Sequence, residues 1–287
     1  MNVLSGKIDL HIHTTVSDGT DAPESVIGLV KAAGITVFSV TDHDAIKAGK
    51  IIRSKLEKGD PHFIPGVEFS CRDGKGKYHI LGYGFDPHST ALNQIVNRGK
   101  MLRAEKLLDR VDILRREYGI EFPEEVIFGL LAESNPGKPH LANLMVQYGF
   151  AASFREAMDK YLERLPAAAD YISPEEAIVG IREGGGIPVL AHPVFGSGRE
   201  RLSAEEMKDR LVRLTAMGLE GLEAYYSSFP PEVSAWLVSL AGHYHLLVTA
   251  GSDYHGTNKT VPLGLTGLPA PSDYPDALCR FLDRVGV

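Results

Sequence analysis

The sequence predicts an α/β protein: seven strands closed into a distorted barrel, helices outside it, and a helical insertion capping the barrel mouth. Three observations carry this expectation. Apolar runs of strand length recur as "KIDLHIH", "ITVFSVT", "HFIPGVEFS", "KYHILGYG", "GIPVLAH", "LEGLEAY" and "HLLVTAGSD". Several are near-continuous rather than alternating, which suits strands buried on both faces of a parallel sheet. Helical stretches separate many of them, the grammar of βαβ units. One stretch, 93–171, is helical throughout and far too long for a connection. The expected domains are therefore a barrel from 1–92 and 172–287 and an insertion from 93–171.

The elements follow in order. In "KIDLHIH" residues two apart share a strand face, so His11 and His13 aim at one point. Asp18 follows in the loop, and two imidazoles with a carboxylate begin a metal site. The alternative is two half-buried histidines with ordinary hydrogen bonds. "DAPESVIGLVKAAG" reads as a helix with Asp21 as N-cap, Pro23 in its first turn, Glu24 at the capping-box position and Gly34 as its stop. "AIKAGKIIRSKLEKG" is the next helix, with Asp44 as its expected cap. Between "EFS" and "KYHILGYG" lies only "CRDGKGK", too short for a crossover helix, so a hairpin turning at Asp73-Gly74 is expected. The insertion carries "NRGKMLRAEKLLDRVDILRREYG", "FPEEVIFGLLAE", "HLANLMVQYG" and "FREAMDKYLERL". "SPEEAIVGIREGGG" then opens a helix with Ser173, Pro174 and Glu176.

Composition narrows the functions. The 287 residues are 44% hydrophobic and 23% charged, an ordinary globular balance. A net charge of −7 argues against long duplex nucleic acid but leaves a small phosphorylated ligand held by metals open. Cys71 and Cys279 are the only cysteines, which fits a reducing compartment. No apolar run approaches a membrane span, and no signal peptide is read, so the expected location is cytoplasmic, with no membrane partner.

Metal-type ligands crowd the C-terminal end of strand after strand. They are His11 and His13, then Asp42, His43 and Asp44, then Glu68, His79, His192, Glu223, and finally Asp253 and His255. Barrel chemistry sits at that face, so a metal cluster explains the recurrence better than a satisfied core histidine repeated on each strand. His62, His88, His243 and His245 serve as controls, since they precede their strands or lie in a loop, and are excluded. Asp42 is either an orienting group for an imidazole or a plain structural residue. Thr41 can be a plain strand residue, and Glu223 either reaches the site or bonds within the barrel.

The ordered set "HIHTTVSDG", "TDHD", "PGVEFS", "YHILGY", "KPHLANLM", "LAHP" and "GSDYHG" resembles the PHP family, named for polymerase and histidinol phosphatase domains. More narrowly it resembles the subgroup that hydrolyses nucleoside 3′,5′-bisphosphates and the 5′ ends of short oligonucleotides. The resemblance spans nearly the whole chain, and the motifs are specific as a set. It implies a distorted seven-stranded barrel with two or three divalent metal ions. One metal would take His11, His13, Glu68 and Asp253; a second would share Glu68 with His79 and His192; a third would take Asp18, His43 and His255. Mixed histidine and carboxylate ligands suit Mn, Fe or Zn. A hydroxide held between such cations is a nucleophile at neutral pH, so no Ser or Cys nucleophile is needed.

Specificity is expected from the insertion. Lys138 and His140 sit at a helix start, where backbone N–H groups also favour anions. They are expected to bind substrate phosphate. Where the resembling subgroup commonly has arginine, Lys138 offers a point charge rather than a fork. Lys100 and Arg103 either reach a second phosphate or form a solvated helix face, and Arg199 and Arg201 read as surface loop. Tyr225-Tyr226 either stack on a base or simply pack. The expected activity is hydrolysis of phosphate monoesters of small nucleotides, including short single-stranded oligonucleotides. The alternatives are a histidinol-phosphate phosphatase and, outside enzymes, a metal-binding regulatory module.

Overall fold

A computed structural model of the chain describes residues 6–132, 136–165, 171–195 and 201–287. Seven strands follow one another in a single sheet: β1 (Lys7–Ile12), β2 (Ile35–Val40), β3 (His62–Asp73), β4 (Gly76–Tyr83), β5 (Ile187–Leu190), β6 (Gly221–Tyr226) and β7 (Leu247–Gly251). Pairing is parallel on either side of β4, which runs antiparallel to both β3 and β5. The sheet closes where β1 meets the chain after β7. Ile12 bridges Tyr254 there, and the His13 N–H donates to the Tyr254 carbonyl at 2.9 Å. The expected seven-stranded distorted barrel is the observed fold.

The hairpin has a local cause. The ladder runs to Asp73 opposite Gly76, so the two loop residues are Gly74 and Lys75, one position later than expected. Asp73 Oδ1 accepts the Lys75 N–H at 2.8 Å, and Gly76 takes φ 140°, which a side chain disfavours. β3 changes partner in mid-strand, pairing with β2 up to Pro65 and with β4 from Gly66. A Cβ on Gly66 would lie 2.2 Å from Ser39 Oγ, so only glycine lets the strands cross this closely.

Helices α1 (Pro23–Ala32) and α2 (Lys47–Lys55) wrap the first strands. Neither has the expected cap. The N-cap of α1 is Ala22, because the Asp21 carboxylate turns away to accept the Tyr254 hydroxyl at 2.8 Å. The N-cap of α2 is Ile46, because Asp44 is drawn inward to Arg103 and to the Ser70 N–H. In both cases a long-range acceptor role outcompetes the local one.

The insertion consists of α3 (Thr90–Tyr118), α4 (Glu124–Ala132), α5 (Lys138–Gln147) and the short α6 (Phe154–Glu156), continued by a π turn at Ala157–Leu162. The first half of α3 packs on the barrel, with Gly99 pressed against Asp44 and Ile172. Its second half joins a separate core that includes Leu107, Leu114, Leu141 and Met145. One helix thus belongs to barrel wall and insertion at once. α7 (Pro174–Glu183) has the full capping box expected at Ser173 and Glu176, with α8 (Ala204–Ala216), α9 (Pro231–His243) and α10 (Asp276–Arg284) completing the outer layer. No described helix is long and apolar enough to cross a membrane.

Candidate metal centre

Strand alternation sets up the site from β1. Asp9, His11 and His13 share one face and are fully buried. Asp9 accepts from the Ser252 N–H (2.9 Å), the Ser252 hydroxyl (2.6 Å) and the Gly264 N–H (2.8 Å), tying β1 to the chain beyond β7. This brings Asp253 opposite the two imidazoles, with Oδ1 3.6 Å from His11 Nε2 and 3.5 Å from His13 Nε2.

Glu68, 1% exposed, occupies the centre. Its Oε2 lies 3.3 Å from His11 Nε2, 3.2 Å from His13 Nε2 and 3.2 Å from His43 Nδ1. Its Oε1 lies 2.8 Å from His79 Nδ1 and 3.4 Å from His192 Nε2. Asp18 completes the set, 3.4 Å from His13 Nδ1, 3.2 Å from His255 Nε2 and 3.7 Å from His43 Nε2. Asp18 and eight of the residues singled out at strand ends therefore converge in one largely buried cluster. His62, His88, His243 and His245 take no part in it.

The donor set fits metal ions on three counts. First, His43 Nδ1 and His79 Nδ1 are buried and have no hydrogen bond, although each faces a Glu68 oxygen at about contact distance. Lone pairs aimed at a common centre produce this arrangement. Second, ligands at ~2.1 Å around one ion stand roughly 3.0–3.4 Å from each other, the range of most separations above. Third, the donors fall into three groups: His13, Asp18, His43 and His255; His11, His13 and Asp253; and His43, Glu68 and His79. His13 and His43 each serve two groups, unlike the partition implied by resemblance, and His192 touches the cluster through Glu68.

The charges agree. Burial should raise the pKa of Glu68, but His79, His43 and His11 outweigh it and hold the carboxyl well below the usual range. Burial opposes protonation of His13, yet Asp18 and Glu68 lift its pKa to about 9. Burial also works against protonated His43, whose pKa falls well below the ordinary value. Buried carboxylates packed against several imidazoles form a site in which a cation can replace protons.

The surroundings orient these ligands. Glu223, fully buried, faces His11 Nδ1 at 2.9 Å and accepts the His192 N–H at 2.8 Å. That fixes the proton on His11 Nδ1 and turns Nε2 to the cluster. Asp42 accepts the Ser17 hydroxyl at 2.6 Å, and Ser17 Oγ lies 3.3 Å from His13 Nδ1. Asp253 turns Oδ2 away from the imidazoles, toward the Tyr226 hydroxyl at 2.8 Å and the Lys259 ammonium. Tyr226 is therefore an orienting donor, and its ring packs beside Phe229 and His192. Asp9, Tyr226 and Lys259 escape a reading based on strand ends; only the alternation of Asp9 with His11 and His13 signals the first. His192 (φ 28°) and Asp253 (φ 57°) also have left-handed backbone, an uncommon state concentrated at functional sites.

Arg103 is not a free helix-face cation: Nε bonds Asp44 and Nη2 donates to Ser70 Oγ at 2.7 Å. Lys100 is exposed on α3. His140 Nδ1 accepts the Gly137 N–H at 3.1 Å, closing the first turn of α5. Lys138 is partly buried, and that burial together with Arg110 and Lys77 pushes its pKa down to about 8. Arg199 lies outside the described residues, and Arg201 is exposed.

No protein-family model matches the chain. It is 29% identical over 269 residues to the 5′-3′ exoribonuclease Rnm of Salmonella typhimurium, covering 89% of this chain and 87% of that protein. It is 28% identical over 269 residues to the 3′,5′-nucleoside bisphosphate phosphatase of Chromobacterium violaceum, covering 88% of each. A phosphoribosyl 1,2-cyclic phosphate 1,2-diphosphodiesterase of Eggerthella lenta is 27% identical over 261 residues, 88% of this chain and 96% of its own length. Among solved structures, an amidohydrolase from Chromobacterium violaceum with bound sulfate and no metal superposes with a TM-score of 0.82 at 26% identity, covering 97% of this chain and 96% of the other. A Bifidobacterium adolescentis protein described as a metal-dependent phosphoesterase superposes with a TM-score of 0.81 at 26% identity, covering 96% of each chain.

Proposed function

We propose that the chain is a metal-dependent phosphoesterase of the PHP family and that it releases phosphate from small nucleotides. The substrate class is nucleoside 3′,5′-bisphosphates or the 5′ ends of short oligonucleotides. The observation that carries this reading is the sharing of His13 and His43 among donor groups gathered around Glu68. Shared ligands hold cations close enough to act on one phosphate.

His11, His13, Asp18, His43, Glu68, His79, His192, Asp253 and His255 would hold two or three divalent ions, of Mn, Fe or Zn type. When bound, such ions acidify water and neutralise phosphate charge. The protein's own part is orientation. Glu223 keeps the His11 lone pair inward, Asp42 acts on His13 through Ser17, and Tyr226 with Lys259 turns Asp253 Oδ1 to the centre. Pro139, Phe154 and Met158 of the insertion line one cavity with Asp18, His43 and His255, which supports a role for the insertion in choosing what enters. The relatives support the substrate class: one is a nucleoside bisphosphate phosphatase and another an exoribonuclease.

The test is phosphate release from adenosine 3′,5′-bisphosphate, mononucleotides, histidinol phosphate and short 5′-phosphorylated RNA, with each metal in turn. Turnover of the bisphosphate or the RNA well above the others is expected. Preference for histidinol phosphate would replace the nucleotide reading.

A further inference from the structure

Of the three carboxylates in the donor groups, Asp253 stands apart. Asp18 faces the imidazoles of His13, His43 and His255. Glu68 faces those of His11, His13, His43, His79 and His192. Asp253 also faces imidazoles, through Oδ1, but its Oδ2 is bonded to the Lys259 ammonium. Tyr226 donates to the same oxygen at 2.8 Å. Arg103, another cation whose charge reaches the cluster, has Asp44 as its partner.

The Lys259 side chain is 40% exposed, yet it starts from a fixed point. It lines a cavity of about 670 Å³ together with Asp18, His43 and His255. The chain reaches it through the turn Gly256–Asn258, which is fastened to the loop after β1. There the Thr257 N–H donates to Thr20 Oγ1 at 2.9 Å, and Asn258 Nδ2 donates to the Asp18 carbonyl at 2.8 Å. Gly256 takes φ 63°, and a Cβ on it would lie 1.9 Å from Thr20 Oγ1, so the two loops close tightly. The turn thereby returns the ammonium to Asp253, six residues back.

His11, His13 and Asp253 form a donor group of their own. For a cation held there, the lysine lowers affinity in two ways. Imidazoles give up their protons to bind metal, whereas the ammonium keeps its charge beside the ion, and like charges on one carboxylate weaken each other's hold. With Oδ2 engaged by two donors, Asp253 also has only Oδ1 to offer.

We infer that Lys259 is a fixed counter-charge that grades the metal centre: it makes the position of His11, His13 and Asp253 the weakest of the cation positions, so that its divalent ion enters last and leaves first. This deepens the metal-dependent reading and rests on it. Lys259 is a positioning residue, touching Asp253 rather than the ion.

The experiment titrates the metal-stripped full chain with Mn2+ and with Zn2+, following heat by calorimetry and free ion by competition with a chelator. The wild type should show a weak step beside tighter ones. His11→Ala, which alters this donor group alone, should remove the weak step and leave the others. Lys259→Gln, uncharged but still able to donate, should tighten the weak step about tenfold or more, the scale on which neighbours of metal ligands act. Lys259→Met should tighten it too, so the outcome does not hang on one variant. Lys259→Arg keeps the charge and should keep the wild-type steps. Tyr226→Phe removes a bond from the same oxygen without changing charge, and should weaken the step instead. Unchanged or weaker binding in both uncharged variants would show that Lys259 only orients Asp253 and would overturn the inference, while the tight steps would still uphold the metal-dependent reading. Steps of equal affinity in the wild type overturn it as well. If the wild type binds neither ion, the metal-dependent reading itself falls, and the role of Lys259 with it.

Discussion

At the scale of single residues, buried charge dominates. Glu223 is bonded on both oxygens, to His11 and to the His192 backbone, and so couples two ligands. In Glu223→Gln one of those donors faces an amide NH2 and the charge holding the His11 tautomer is lost. Metal affinity should fall about 10–100-fold, read by competition with a chelator, while Tm of the metal-free protein moves little. An unaltered affinity would leave Glu223 a barrel residue only. Lys106 presents the opposite balance. Its pKa is depressed, to about 7 from 10.5, so the folded state binds fewer protons than the unfolded chain between those values. Stability from this group therefore rises with pH across about 7–10.5 and is at its lowest below pH 7. Lys106→Met should stabilise the protein near neutrality by about 1–3 kcal/mol, the lost contact with the Tyr171 ring offsetting part of the gain. Thermal melts at pH 6.5 and 9.5 check this, since the advantage should shrink at the higher pH.

At the scale of elements, the β1–β7 junction controls ligand placement. Gly251 ends β7 directly against β1, and a Cβ there would lie 2.2 Å from His11 Cβ and 2.6 Å from Glu223 Oε1. Neither neighbour can retreat, because both are fully buried. Gly251→Ala should therefore displace His11 and lower both metal content and turnover by an order of magnitude or more, with a stability cost of about 1–3 kcal/mol for overpacking. Metal analysis of the purified variant is the measurement; full occupancy would show that the strands yield instead. α3 offers the contrasting case. It is continuous from the barrel wall into the insertion core, so the cap is anchored by a rigid element rather than by a hinge loop.

At the scale of the whole molecule, the cluster would also be a folding device once metal is bound. The eight residues that could hold metal come from β1, β3, β4 and the loops after β1, β2 and β7, and Glu68 and Asp253 among them are buried beside histidines. Ions that bind only the folded chain should add about 2.7 kcal/mol when present at a hundred times their Kd. Exhaustive chelation should thus abolish phosphate release and lower Tm by several degrees, and Mn, Fe or Zn should restore both. Activity in the proven absence of metal would contradict the mechanism.

The sequence by itself determined the seven strands, the hairpin, the capping box at Ser173 and the run of polar side chains at strand ends, because alternation and capping act within a few residues. It left Glu223, Asp42 and Tyr226 open and missed Asp9 and Lys259. These act across the barrel, through partners 25 to 243 residues away or, for Lys259, around a loop turn. Asp21 and Asp44 have the pattern of helix caps, yet tertiary partners claim both carboxylates. Arg103 and Lys106 lie three residues apart on one helix, and no periodicity distinguishes a fork bonded to Asp44 from an ammonium buried over Tyr171. Which acceptor a charged group finds depends on what the fold brings within 3 Å, and only the closed barrel with its cap decides that.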